Sequence, residues 1–215
     1  MSQKIGVIGS GQVGKVLAAG FKKHGHAVMI GSRSPDKCKD WGATAGVASG
    51  DFAATAAFAD IVVLAVKGGI AKEALQLAGA ANLKGKIIID ATNPIADAPP
   101  QDGVLRFFTD LNESLMEKLQ AAHPDAKFVK AFSCVGNALM VNPQLPGGRP
   151  TMFIAGNDDA AKATVTQLLD TFGWDTEDMG KATGARAIEP LCILWCIPGM
   201  LRGQWNHAIK LVRTQ

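Results

Sequence analysis

Three glycines in the hexapeptide Gly9-Ser10-Gly11-Gln12-Val13-Gly14 stand between an apolar run, Ile5 to Ile8, and a helical pattern, Val13 to His24. That placement suits a pyrophosphate. The first glycine permits a tight turn, the second lets the backbone approach the phosphates, and the third lets the helix pack closely on the strand. The helix N-terminus then offers its positive dipole end to the anion.

A second group closes the next apolar run, Ala27 to Ile30: Gly31-Ser32-Arg33-Ser34, with Lys37 a turn later. Sites for NAD place a carboxylate there, which accepts hydrogen bonds from the adenosine ribose 2′-hydroxyl. In this chain the first carboxylate is Asp36. A guanidinium, hydroxyls and an ammonium are what a 2′-phosphate dianion requires, so Ser32, Arg33, Ser34 and Lys37 predict NADP (NADPH) as the cofactor. A charged hydrogen bond of about 1.5–3 kcal/mol from Arg33 gives on the order of ten- to a hundred-fold discrimination against NAD.

The elements that must position these groups alternate. Strands are expected at Ile5 to Ile8, Ala27 to Ile30, Ile61 to Val66, Lys86 to Asp90 and Phe128 to Phe132. Helices are expected at Val13 to His24, Ile70 to Ala80 and Leu111 to His123. Such alternation predicts right-handed βαβ crossovers and an α/β fold, a doubly wound Rossmann sheet, mostly parallel. A strand at Thr151 to Ala155, a helix from about Asp158 to Phe172 and a short strand near Trp174 to Met179 follow. Asn93 to Phe108, rich in Pro, Asp and Gly, reads as a long functional loop. From Ala182 to Arg213 the composition is helical and broken at Pro198 and Gly199, which predicts two helices. With no repeat and no linker, the chain reads as one NADP-binding domain over 1–215, with residues 181–215 a C-terminal helical extension packed beside the sheet.

Ligands of open α/β sheets bind outside the carboxyl ends of the strands. The strand ends Ala65-Val66-Lys67-Gly68, Asp90-Ala91-Thr92-Asn93-Pro94 and Lys130-Ala131-Phe132-Ser133-Cys134 supply small residues or amides suited to border a flat ring. Ala65, Val66, Lys67, Asn93, Pro94, Ala131 and Ser133 join the candidate site on that ground; a plain loop start is the alternative for each.

Composition bounds the rest. At 215 residues and 47% hydrophobic content the chain can bury a sizeable core. Net charge is +3 from 22 basic and 19 acidic residues with no long run of one sign, which excludes a nucleic-acid footprint. No basic-then-apolar signal pattern opens the sequence, so a cytoplasmic protein is expected. The apolar segment Pro190 to Leu201 falls short of a bilayer span and holds Pro198; it is expected to be a buried or interface helix. Cys192 and Cys196 fall on one helix face in apolar company and read as a core pair. His24 and His26 flank Gly25 at a helix end, so no metal is expected.

The chain has no tyrosine. That excludes the short-chain dehydrogenase and aldo-keto reductase mechanisms, which use a Tyr hydroxyl as proton donor. Lys67, Lys130 and Cys134 are the titratable strand-end groups that could protonate an alkoxide, and none falls in a catalytic pair, so no catalytic residue is assigned. A flavin or deazaflavin ring stabilises its own negative charge and needs no dedicated acid. The alternatives are a small carbonyl or imine reductase using Lys67 or Cys134, and a non-catalytic NADPH sensor.

The combination KIGVIGSGQVGKVLAAGF, IGSRSPDK, IDATNPI, VKAFSCVG, PTMFIAGNDDAAK and GARAIEPLCILW resembles the NADPH-dependent deazaflavin reductases, the coenzyme F420:NADP oxidoreductases, over nearly the whole chain. It is also similar to the cytosolic reductase domain of the membrane metalloreductases. The resemblance implies that Ser10, Gln12 and Val13 join the glycines at the pyrophosphate and that Ala65, Val66, Asn93, Pro94 and Ala131 border the ribose and nicotinamide. It implies a deazaflavin or flavin co-substrate as hydride acceptor. It also implies a homodimer, with Trp195, Met200, Leu201 and Trp205 as apolar cover or dimer surface, a buried stripe being the alternative. After Phe132 the sequence departs from the family: Ser133-Cys134 stands in place of Asn-Thr or His-Thr, near the acceptor.

Overall fold

The computed structural model describes residues 2–214. The first half runs β1 (Lys4–Ile8), α1 (Gln12–Lys23), β2 (Ala27–Gly31), α2 (Asp36–Ala45), β3 (Ala48–Gly50), α3 (Phe52–Phe58), β4 (Ile61–Leu64), α4 (Ala71–Ala78), α5 (Ala80–Leu83) and β5 (Ile87–Asp90). The second half runs α6 (Leu115–Ala122), β6 (Lys127–Lys130), β7 (Thr151–Gly156), α7 (Asp159–Thr171), β8 (Asp175–Asp178), α8 (Ala185–Ile188) and α9 (Leu191–Arg202). The strands form one eight-stranded sheet in the order β3-β2-β1-β4-β5-β6-β7-β8. Only the β6–β7 pairing is antiparallel. The fold is therefore the expected Rossmann-type α/β sheet.

Side-chain alternation explains the two faces. Ile5, Val7, Ile61 and Val63 join Leu17 and Phe21 of α1 and Val165 and Leu168 of α7 in one core. Ile8, Val62, Leu64 and Ile88 join Phe52, Leu75, Met116 and Leu119 from α3, α4 and α6 in the other. Buried on both sides, the central strands read as continuous Ile/Val/Leu runs.

Three differences from expectation have physical causes. First, α2, β3 and α3 fill the segment between Lys37 and Ile61, for which the sequence pattern gives no element; β3 has only three residues and α3 is mostly alanine, so neither shows a period. Second, the expected loop after Asn93 holds no strand but is folded back on itself by isolated antiparallel bridges, Ile95 to Phe107 and Gln101 to Val104. Phe108 N–H donates to the Pro94 carbonyl and Ala96 N–H to the Arg106 carbonyl, at 2.9 and 2.8 Å. Asp102 and Gly103, at φ 51 and 79, make its two-residue turn.

Third, no break falls at Pro198-Gly199: the helical stretch from Ala182 keeps helical backbone angles through Glu189 and Pro190 and runs on to Arg202. Pro198 lies inside α9, which continues to Arg202 and ends at Gly203 with φ 67. The carbonyl that Pro198 leaves unpaired belongs to Leu194, a residue 60% exposed, where water can take it. Beyond Gly203 the chain is irregular rather than helical, and the Ile209 carbonyl accepts a hydrogen bond from Thr151 N–H. The continuous helical stretch Ala182–Arg202 is, by length and composition, long enough to cross a membrane, longer than the sequence segment suggests; 39% of its most apolar window is buried in the fold.

Candidate functional site

The glycine turn has the geometry its three positions require. Gly9 sits at φ 122, and a side chain there would strike the Ala65 carbonyl. A Cβ on Gly14 would strike the Gly9 carbonyl, so α1 packs directly on the turn. Around Gly11, by contrast, nothing lies within 4 Å of where a Cβ would stand. The α1 N-terminus has no side-chain cap and no acidic residue in its first turn, leaving its N–H groups facing that open space.

A cavity of about 460 Å³ opens from this turn. Gly9, Ser10, Gly11, Ser32, Arg33, Ser34, Lys37, Ala65, Val66 and Lys67 line it, joined by Phe52 and Ile70. Ser34 N–H donates to Ser32 Oγ at 3.2 Å, which holds the loop closed on itself. Arg33 Nη1 lies 3.6 Å from Glu73 Oε1, both side chains more than half exposed. A second cavity of about 550 Å³ continues past Val66, Lys67 and Ile70 to Gly68, Gly69, Ala91, Asn93, Ile95, Ala96, Asp97 and Phe108. The shared lining makes one crevice across the strand ends.

The remaining candidates support the walls. Gln12, Val13 and Gly14 form the first turn of α1 beneath Gly11. Pro94 is buried and accepts from Phe108, Ala131 is fully buried, and Ser133 is 2% exposed. Asn93 and Ser133 hydrogen-bond to each other, so Ser133 acts on the cavity only through Asn93. Phe132, between them in the chain, sits at φ 61, a conformation rare for a bulky residue; its N–H donates to Met152 Sδ. Phe52, Ile70, Ile95, Asp97 and Phe108 line the crevice without having been singled out. For Ile95 and Phe108 the signal was available, since Asp102-Gly103 is a hairpin turn that brings the two flanks together.

Two of the three possible proton donors are removed from the site. Lys130 is fully buried; its Nζ lies 2.8 Å from Asp90 Oδ2 and 2.9 Å from Glu189 Oε1 and donates to the Thr92 carbonyl at 2.8 Å. Burial alone would lower the ammonium pKa, but the two carboxylates outweigh it and the net shift is upward. Cys134 is 3% exposed, and burial pushes its thiol up to about 11. Lys67 is exposed and lines both cavities. Among the described residues no group of three or more His, Cys, Asp or Glu could hold a metal. Cys192 is raised chiefly by its hydrogen bond with Cys196, then by burial, as for a packed thiol pair.

Comparison with known proteins places this geometry. Residues 4–94 match the family described as NADP oxidoreductase, coenzyme F420-dependent. A solved structure from Arthrobacter sp. FB24, described as a candidate F420-dependent NADP-reductase, is 35% identical, with 99% of this chain and 100% of that one covered and a TM-score of 0.93. Metalloreductase STEAP3 of Rattus norvegicus is 29% identical over 204 residues, 92% of this chain; the chain spans 39% of that protein's length. An imine reductase from Myxococcus stipitatus, 16% identical with a TM-score of 0.68 and 94% of this chain and 63% of that one covered, shares the fold alone.

Proposed function

The chain belongs to the family of coenzyme F420-dependent NADP oxidoreductases, and from that premise we propose that it passes a hydride between NADP(H) and a deazaflavin or flavin-type ring. It is an NADP-dependent oxidoreductase; the acceptor and the role of each residue are the proposal. The observation that carries it is the pair of joined cavities, the first ringed by phosphate-binding groups and the second by the apolar Val66, Ile70, Ile95 and Phe108 with Lys67, Asn93 and Asp97 among them.

The residues fit the nucleotide. In this reading the α1 N–H groups and the open space at Gly11 take the pyrophosphate, while Ser32, Arg33, Ser34 and Lys37 take the 2′-phosphate. Ala91 and Asn93 border the nicotinamide, and Ile95 and Phe108 cover the second ring. Nicotinamide C4 supplies the hydride. Gly69, with nothing within 4 Å of where a Cβ would stand, leaves one wall bare, so a flat acceptor can lie close, and the cavity volume falls in the usual range for small-molecule sites. The protein's work is to align two rings and exclude water.

The same reading makes the protein a cytoplasmic homodimer. Leu194, Met200, Leu201 and Trp205, each more than 40% exposed, support an apolar contact face, whereas Trp195 is a core residue at 7%. The place of Lys67 favours a second reading, a carbonyl or imine reductase with Lys67 as donor. The test is anaerobic mixing of NADPH or NADH with oxidised deazaflavin, flavin or a carbonyl panel. Rapid bleaching of deazaflavin or flavin by NADPH and not NADH supports the proposal; turnover of carbonyls alone overturns it.

A further inference from the structure

A group of buried charges lies behind the second cavity. Lys130 Nζ donates to the Thr92 carbonyl and forms ion pairs with Asp90 at 2.8 Å and Glu189 at 2.9 Å. Asp90 Oδ1 accepts from Thr92 N–H at 2.9 Å and from Thr92 Oγ1 at 2.7 Å. Glu189 accepts from Leu115 N–H at 2.9 Å and Met116 N–H at 3.0 Å, the first N–H groups of α6. All three ionisable side chains are at most 2% exposed.

Two carboxylates and one ammonium leave one net negative charge. The α6 N-terminus offsets about half of it. The location is what matters: Thr92, gripped by both Asp90 and Lys130, stands between Ala91 and Asn93, and those two residues line the cavity. The charges therefore stand one residue behind the wall, roughly 8 Å or two Cα steps from a ring lying against it.

We infer that Asp90, Lys130 and Glu189 set the electrostatic field at the nicotinamide, favouring its oxidised, cationic form over the neutral reduced form. This rests on the proposed placement of the nicotinamide beside Ala91 and Asn93. The residual negative charge attracts the ring that has given up its hydride, so the bound couple becomes more reducing. The triad would act as field-setting residues that never touch the nucleotide. A unit charge at roughly 8 Å, in an effective dielectric of about 20, shifts such an equilibrium by about thirtyfold; water in the crevice trims this to on the order of tenfold.

The experiment measures Kd for NADP+ and for NADPH, anaerobically, by titration calorimetry. The two nucleotides share every phosphate contact, so the ratio of their Kd values isolates the ring. Asp90→Asn and Glu189→Gln are expected to raise Kd(NADP+)/Kd(NADPH) about tenfold, about 30 mV in the bound two-electron couple. Lys130→Met is expected to lower it. A merely structural triad would weaken both nucleotides together, and a ratio unchanged within twofold in any folded carboxylate variant overturns the inference. Wild-type protein gives a check independent of folding: it is expected to hold NADP+ at least as tightly as NADPH, and NADPH binding tenfold tighter overturns the inference. Failure of wild-type protein to bind either nucleotide overturns the proposed site instead.

Discussion

Ser133 Oγ donates to Asn93 Oδ1 at 2.6 Å while Asn93 Nδ2 donates back to the Ser133 carbonyl at 2.9 Å. This reciprocal pair joins the ends of β5 and β6 and fixes the one amide side chain in the wall of the second cavity. The Ser133 hydroxyl is thus spent on holding Asn93.

Removing that hydroxyl should free the Asn93 amide without opening the nucleotide end. Ser133→Ala is expected to lower kcat about three- to tenfold with NADPH affinity changed less than twofold, in line with loss of one hydrogen bond of about 1 kcal/mol. Steady-state kinetics beside direct nucleotide titration checks it; an equal loss in both would place Ser133 in binding.

Arg33 is expected to carry the preference for NADP. Arg33→Gln should weaken NADPH on the order of ten- to a hundred-fold and leave NADH within threefold. Glu73, 3.6 Å from Arg33, competes with the 2′-phosphate for the guanidinium. Glu73→Gln is accordingly expected to tighten NADPH about two- to fivefold at low salt, a gain that fades as ionic strength rises. Titrations at two salt concentrations decide both.

Lys67 separates the two chemical readings. If the acceptor ring stabilises its own charge, Lys67→Gln is expected to keep kcat within about threefold of wild type. A loss of a hundredfold or more would make Lys67 the proton donor of a carbonyl or imine reductase.

Acid stability should follow Glu117. Arg186 grips its carboxylate with contacts of 2.7 to 3.1 Å, Ser114 adds a capping box, and the pKa falls from 4.5 to about 2. Because the folded pKa is depressed, the contribution is fully present above about pH 4.5 and is lost as pH falls toward 2. Its ceiling is about 3 kcal/mol. Glu117→Gln is expected to lower Tm at pH 7 and to flatten the loss of stability between pH 4.5 and 2, read by thermal melts across that range.

The fold and the glycine turn were legible because local rules write them. Gly9 and Gly14 each answer to a separate steric demand within one turn, and Gly11 leaves open space beside it. The acceptor end was less legible. Ile95 and Phe108 meet through a hairpin whose Asp102-Gly103 signal is only two residues long, inside a stretch otherwise rich in proline. Lys130 reads as a strand-end acid from sequence, yet its partner Glu189 comes from the junction of α8 and α9, a pairing that only tertiary packing creates.

Direct hydride passage between two stacked rings is tested most directly by isotope transfer. NADPH deuterated at C4 on the donated face, mixed anaerobically with the enzyme and oxidised deazaflavin, is expected to deliver its deuterium to C5 of the reduced deazaflavin with little loss to water. Reduced deazaflavin without the label, or no reduction of the ring, would contradict the account.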